Sequence, residues 1–221
     1  PIFMKKLYDL CKKNGILFIS EEVQQGFYRT GKFFGIEHYD IIPDGIIMGK
    51  SIGAGFPLGG FMAKAEIMDC LPAHLFTLGG NATACAAGVA AFDYLQSDEF
   101  QKILADNTKL LEECVADLRA TFPDVITGRR GIDMSCALVV TKKDENGNDV
   151  PDGDGTFKIL YRAYERGLLI ISLSENILRV QPPLNIRPEN LKKGFAILKD
   201  SIRDYVNGDI PDSVMAFRAG W

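Results

Sequence analysis

The stretch "PDGIIMGKSIGAGFPLGG", residues 43–60, places one lysine, Lys50, at the end of an apolar run and just ahead of Gly53, Gly55, Gly59 and Gly60. An amine in that setting can be a solvated strand-end charge, a phosphate-loop lysine or a nucleophile. A nucleotide loop requires G-x-x-x-x-G-K-[ST] between strand and helix. Here "GKS" at 49–51 has its nearest upstream glycine, Gly45, one position too close, Ile46, Ile47 and Met48 read as strand, and the other glycines follow the lysine. That spacing excludes the nucleotide loop. Solvation is the ordinary state of lysine, which is rarely buried unpaired. Against it, ligands of α/β sheets bind at the carboxyl ends of strands, glycines let backbone approach a bound group, and a desolvated amine is neutral and nucleophilic. The residues alone leave solvated charge and covalent nucleophile both open.

Other groups share the pattern of chemistry at a strand end. Glu21-Glu22 follows the apolar "ILFIS" of 16–20 and taken alone reads as two solvated glutamates at a strand end. Arg179 sits between Leu178 and Val180, flanks that favour partial burial. A guanidinium there would pair with a carboxylate bidentately, or form a surface salt bridge. The five cysteines, Cys11, Cys70, Cys85, Cys114 and Cys136, include no CxxC and lie among apolar or helical residues, so each reads as a small buried hydrophobe in a reducing, cytoplasmic setting. Two histidines, His38 and His74, are too few for a metal cluster.

The elements that must position these groups alternate between helix and strand. Residues 3–13 have a helical pattern closed by Lys13-Asn14-Gly15, and 16–20 reads as a buried strand running into a loop over 21–35. Two more buried strands, 45–49 and 58–64, flank the glycine-rich turn. "ATACAAGVAAFDYL" at 82–95 is apolar all round and predicts a helix packed on several sides. An amphipathic helix over 98–121 ends at Phe122-Pro123. Beyond it, a strand at 133–140, a polar loop at 142–155, a helix at 156–166, strands at 168–173 and 177–181, and a helix at 188–206 form a β-loop-α-β-β-α series. The first part reads as one side of a mostly parallel α/β sheet and the second as a small α/β domain.

Composition is that of an ordinary globular chain of 221 residues, 47% hydrophobic and 24% charged. A net charge of −4 argues against a nucleic-acid partner. No apolar run approaches the roughly 18 residues that cross a membrane. The start, "PIFMKKLYDLCKKNG", reads as a helix entered part-way, so the chain is expected to be a piece of something longer.

The order of motifs then adds a resemblance. "SEEVQQGFYRTGKFFGIEHYDIIPDGIIMGKSIGAGFPLGG", "FTLGGNATACAAGVAA" and "RGLLIISLSENILRVQPPLNI" resemble, in order and across essentially the whole chain, the class III pyridoxal-phosphate aminotransferases, the 4-aminobutyrate and ornithine aminotransferase family. The resemblance implies the aspartate-aminotransferase-like α/β fold (fold type I), with 1–123 as part of the cofactor-binding large domain and 124–221 as the small C-terminal domain. It implies pyridoxal 5'-phosphate held by a Schiff base to Lys50, which then serves as general base toward the substrate α-proton. Glu21 occupies the aspartate position of the family's Asp-Glu-Val-Gln and would pair with the pyridinium, one methylene longer. Val23 would pack on the ring, Gln24 would lie near its 3-hydroxyl oxygen, and Thr77 would bind the phosphate of a neighbouring subunit across a homodimer with shared active sites. Arg179 would grip the substrate carboxylate, with an amino acid and a keto acid as substrates; "RTGKFF" at 29–34 is expected to be structural. The spelling around Glu21 is also similar to the isoleucine 2-epimerase branch, which makes an amino-acid racemase or epimerase the alternative. Because the family's N-terminal half is missing from this sequence, the chain by itself is expected to be inactive, and a non-catalytic domain is the third reading.

Overall fold

A computed structural model describes residues 2–69, 77 and 79–218. The chain divides into two compact units, Pro1–Lys102 and Ile103–Trp221.

In the first unit, α1 (Ile2–Lys13) ends as its sequence requires: Gly15 takes a left-handed φ of +67°, and Lys12 and Lys13 lie where the helix dipole favours cations. The next strand is shorter than its apolar run. Ile16 N still bonds back to Cys11 O at 2.9 Å, and Ile16 and Leu17, outside any ladder, are more than half exposed. Only β1 (Ile19–Glu21) joins a ladder, lying parallel to β2 (Gly45–Met48) with Glu21 opposite Ile47. β3 (Gly60–Ala63) then pairs antiparallel with β2, giving a three-stranded sheet with one parallel and one antiparallel pair. α2 (Ala65–Met68), α3 (Ala82–Gln96) and the start of α4 (Asp98–Thr121) follow. The expectation that α3 packs on several sides is corrected: only Ala84 and Leu95 are buried, while Val89 and Phe92 are 62% and 49% exposed. Its apolar composition gives it more faces than this unit covers.

Asp44 fixes the base of β2. Buried in the protein, it accepts from Phe18 N at 2.8 Å, pairs with Lys64 at 2.9 Å and also pairs with Lys12. The Lys12 ammonium, the Phe18 N–H and then Lys64 hold its carboxyl well below the usual carboxylate range. A depressed pKa contributes stability that is present above the unfolded value, near ~4, and lost as pH falls through the folded value. Asp44→Asn is therefore expected to cost about 1–3 kcal/mol at neutral pH, and to flatten the acid limb of a urea-stability profile below about pH 4. A variant whose acid limb matches the wild type would assign that limb to other carboxylates.

The second unit is built on an antiparallel sheet in the order β4 (Ile126–Ile132), β5 (Ser135–Lys143), β8 (Ile177–Val180), β7 (Ile171–Leu173), with β6 (Asp149–Pro151) on the far end of β5. α5 (Gly153–Glu165) and α6 (Pro188–Asn207) pack on each other and, through Ile159, Leu198 and Ile202, enclose the core with Leu138 and Leu178. α5 starts inside the polar stretch expected as loop, because Asp152 caps it by accepting from Gly155 N at 3.0 Å. Cys136 is buried, and burial pushes its thiol up to about 11. Cys11, Cys85 and Cys114 are only half-buried, which corrects the expectation for those three, and all four are free thiols. Cys70 and His74 lie outside the described residues.

Candidate functional site

The parallel pairing of β1 with β2 sets their carboxyl ends side by side. The last bond of that ladder runs from Glu22 N to Ile47 O at 2.8 Å, so Glu21 ends one strand close to where Met48 ends the other. Lys50 begins immediately beyond, opening a short 3-10 helix (Lys50–Gly53). Its φ is +49°, a left-handed conformation that non-glycine residues adopt at a cost and that clusters at functional sites. The turn is held by α3: a Cβ on Gly88 would meet Ile52 O at 2.8 Å, so glycine at 88 is what lets the helix backbone lie against the turn. Lys50 is exposed, and among the described residues its amine has no hydrogen bond or ion pair.

Glu21 and Glu22, indistinguishable as neighbouring charges in the sequence, have opposite environments. Glu21 is exposed, and its Oε1 accepts from Val23 N at 2.8 Å, a local turn that keeps the carboxylate at the strand end. Glu22 is 2% exposed and accepts from Ile36 N at 2.8 Å, Gly35 N at 2.9 Å and Ser20 Oγ at 2.9 Å. It fastens the loop after β1 to the strand, a role that the sequence reading missed. Val23, half-buried, packs on the backbone before the lysine: a Cβ on Gly49 would come within 3.2 Å of Val23 Cγ1. Gln24 is exposed. Phe27, Phe33 and Phe34 of the same loop pack edge to face, with centroids 5.2 and 4.7 Å apart for Phe27–Phe33 and Phe33–Phe34. That cluster gives "RTGKFF" a structural role.

Thr77 is exposed in a turn, and its neighbours at 70–76 and 78 lie outside the described residues. Arg179 belongs to the second unit. It is half-buried in β8 between the buried Leu178 and Val180, and it donates through Nε to Gln181 Oε1 at 2.7 Å. Thus the first unit brings Glu21, Val23 and Lys50 to one sheet end, while Arg179 is placed by a different sheet.

Comparison with known proteins adds the following. The sequence profile described as Aminotransferase class-III matches residues 1–202. The chain is 34% identical to isoleucine 2-epimerase of Lentilactobacillus buchneri over 99% of its own length and 49% of that protein. It is 35% identical to acetylornithine aminotransferase of Caldanaerobacter subterraneus subsp. tengcongensis, over 92% of this chain and 49% of that one. Among solved structures it is similar to the ornithine aminotransferase of Toxoplasma gondii crystallised with oxidised glutathione, described with partial occupancy of PLP at its active site. The TM-score is 0.79 at 26% identity, covering 94% of this chain and 47% of that one. The chain therefore spans about half the length of the curated relatives it matches. The fold is that of the pyridoxal-phosphate-dependent aminotransferases. With a family match over most of its residues, the chain belongs to the class-III aminotransferases.

Proposed function

We propose that the protein carrying this chain is a pyridoxal-phosphate-dependent aminotransferase that moves an amino group from an amino acid to a keto acid. The observation that carries the reading is the convergence of Glu21, Val23 and Lys50 at the carboxyl ends of two adjacent parallel strands. These residues fit the cofactor. An exposed amine without a bond among the described residues suits an aldehyde, a carboxylate suits a protonated ring nitrogen, and Val23 offers an apolar face beside Gly49. When bound, the cofactor supplies the electron sink for the carbanion left when the α-proton departs.

The chain's own residues would then divide the remaining work. Lys50 Nζ would hold the cofactor at rest and accept the α-proton during turnover, as a general base. Glu21 would supply the negative charge that keeps the ring nitrogen protonated. Gln24 would approach the ring's 3-hydroxyl oxygen, and the Thr77 hydroxyl would meet the phosphate of a neighbouring subunit in a homodimer. Arg179 would take the substrate carboxylate, orienting the α-C–H bond through a bidentate pair.

A second reading, an amino-acid racemase or epimerase, is favoured by the match over 99% of the chain to isoleucine 2-epimerase. Both activities begin with the same proton transfer to Lys50 and differ in where the proton returns. The full-length protein, incubated with single-enantiomer amino acids with and without 2-oxoglutarate, separates them. Loss of amine that requires the keto acid is the expected result. Formation of the opposite enantiomer or epimer without a keto acid would replace the aminotransferase by the epimerase.

A further inference from the structure

Arg179 is oriented by a residue that the proposed chemistry does not otherwise use. Two positions along the chain, Gln181 turns its amide oxygen to the guanidinium: Arg179 Nε donates to Gln181 Oε1 at 2.7 Å, and Nη2 donates to the same oxygen. The other end of the amide is fixed too, since Gln181 Nε2 donates to Ser135 Oγ at 2.8 Å. Ser135, 7% exposed, opens β5, the strand that pairs with β8 and sets Ala137 opposite Arg179. This second bond decides which way the amide faces. Flipped, the amide would put its N–H donors against the guanidinium, donor against donor. The segment beyond is anchored independently: the buried Asn107 donates to Leu184 O at 3.0 Å and to Ile186 O at 2.8 Å.

Glutamine differs from glutamate here in one respect that matters for binding. A carboxylate at 181 would hold the guanidinium as firmly, but would also neutralise it and compete with any incoming carboxylate. An amide oxygen fixes the plane of the guanidinium without itself adding a negative charge. We propose that Gln181 is a positioning residue: held by Ser135, it presents a pre-oriented, still-charged Arg179 to a carboxylate-bearing substrate. The proposal rests on the reading of Arg179 as the group that binds the substrate carboxylate. Pre-orientation lowers the side-chain ordering that binding must otherwise impose.

The test uses the full-length protein and glutarate, a dicarboxylate with no amine to react, titrated by calorimetry into the wild type and into Arg179→Ala, Gln181→Leu, Gln181→Glu and Ser135→Ala. Arginine side-chain N–H signals are followed by NMR in parallel, a readout that a merely structural bridge would not tie to ligand affinity. Gln181→Leu is expected to weaken glutarate about tenfold and to merge the Arg179 Nε–H signal with the fast-exchanging arginines. Ser135→Ala should weaken it about threefold, since it loosens the amide without removing the acceptor. Gln181→Glu keeps an acceptor and so protects folding, yet should weaken glutarate at least as much as leucine does. Should Gln181→Leu and Gln181→Glu both bind glutarate like the wild type while Arg179→Ala loses it, the positioning role is overturned and the arginine reading stands. Unchanged affinity in Arg179→Ala would instead remove the arginine reading beneath it.

Discussion

Lys50→Ala is expected to lower amino-group transfer by the full-length protein by about 10⁴-fold or more, the loss of both a nucleophilic amine and a general base. The stability of the cofactor-free protein should stay within the effect of an ordinary surface change, about 0.5 kcal/mol. The pairing of those two outcomes is what the structure specifies. Lys50 is exposed and, among the described residues, makes no bond whose loss would be felt. Its φ of +49° is no harder for alanine than for lysine, so the substitution leaves the backbone cost of the turn where it was. Lys50→Arg should be as inactive as the alanine variant, because a guanidinium stays protonated and cannot act as a neutral nucleophile. Borohydride reduction of the full-length protein with its cofactor, followed by peptide mass mapping, should place the pyridoxyl mass on the Lys50 peptide and nowhere in Lys50→Ala. Turnover within tenfold of the wild type in Lys50→Ala, or a label on another lysine, would sink the assignment.

How far the sequence carried the site depended on whether each signal was local. The end of β2 was legible because Ile46, Ile47 and Met48 form an apolar run that meets glycine at once, and Lys50 opens its turn as that pattern requires. The setting of Arg179 was legible for the same reason: alternate residues of a strand face opposite ways, and Leu178 and Val180 are the buried pair. Non-local facts were not readable. "ITGRRGI" of β4 carries Gly128, Arg129, Arg130 and Gly131 and has no alternating apolar face, so its strand conformation comes from pairing with β5. β1 lost its first residues to the helix-end bond from Ile16 to Cys11, which competes with a ladder that β2 offers only from Gly45 onward. α3 met the turn at Gly88, where the need for glycine depends on the Ile52 carbonyl 36 positions away. The different fates of Glu21 and Glu22 were set by donors 13 and 14 residues downstream.

That last difference predicts the largest effect on stability near the site. Glu22→Ala is expected to cost about 3–5 kcal/mol, read as a lower urea midpoint at unchanged slope. The carboxylate is 2% exposed and serves three donors: Ile36 N and Ser20 Oγ on Oε1, and Gly35 N on Oε2. Bonds to an ionised acceptor are each worth about 1.5–3 kcal/mol, and removing the acceptor strands the Gly35 and Ile36 N–H groups inside the protein. Glu22→Gln is the sharper probe. It keeps nearly the same shape and one acceptor oxygen, but its amide must aim an N–H at a backbone N–H, so a loss of about 1.5–3 kcal/mol is expected. Because the bonds tie residues 35 and 36 to the residue directly before Val23, loosening them also loosens the chain that packs on Gly49. Glu22→Gln should therefore weaken cofactor binding to the full-length protein under conditions where it remains folded, whereas the equally conservative Glu37→Gln, exposed in the 3-10 helix Gly35–Tyr39 and keeping an acceptor for Phe34 N, should leave it unchanged. Equal cofactor affinity in the two variants would confine Glu22 to stability alone.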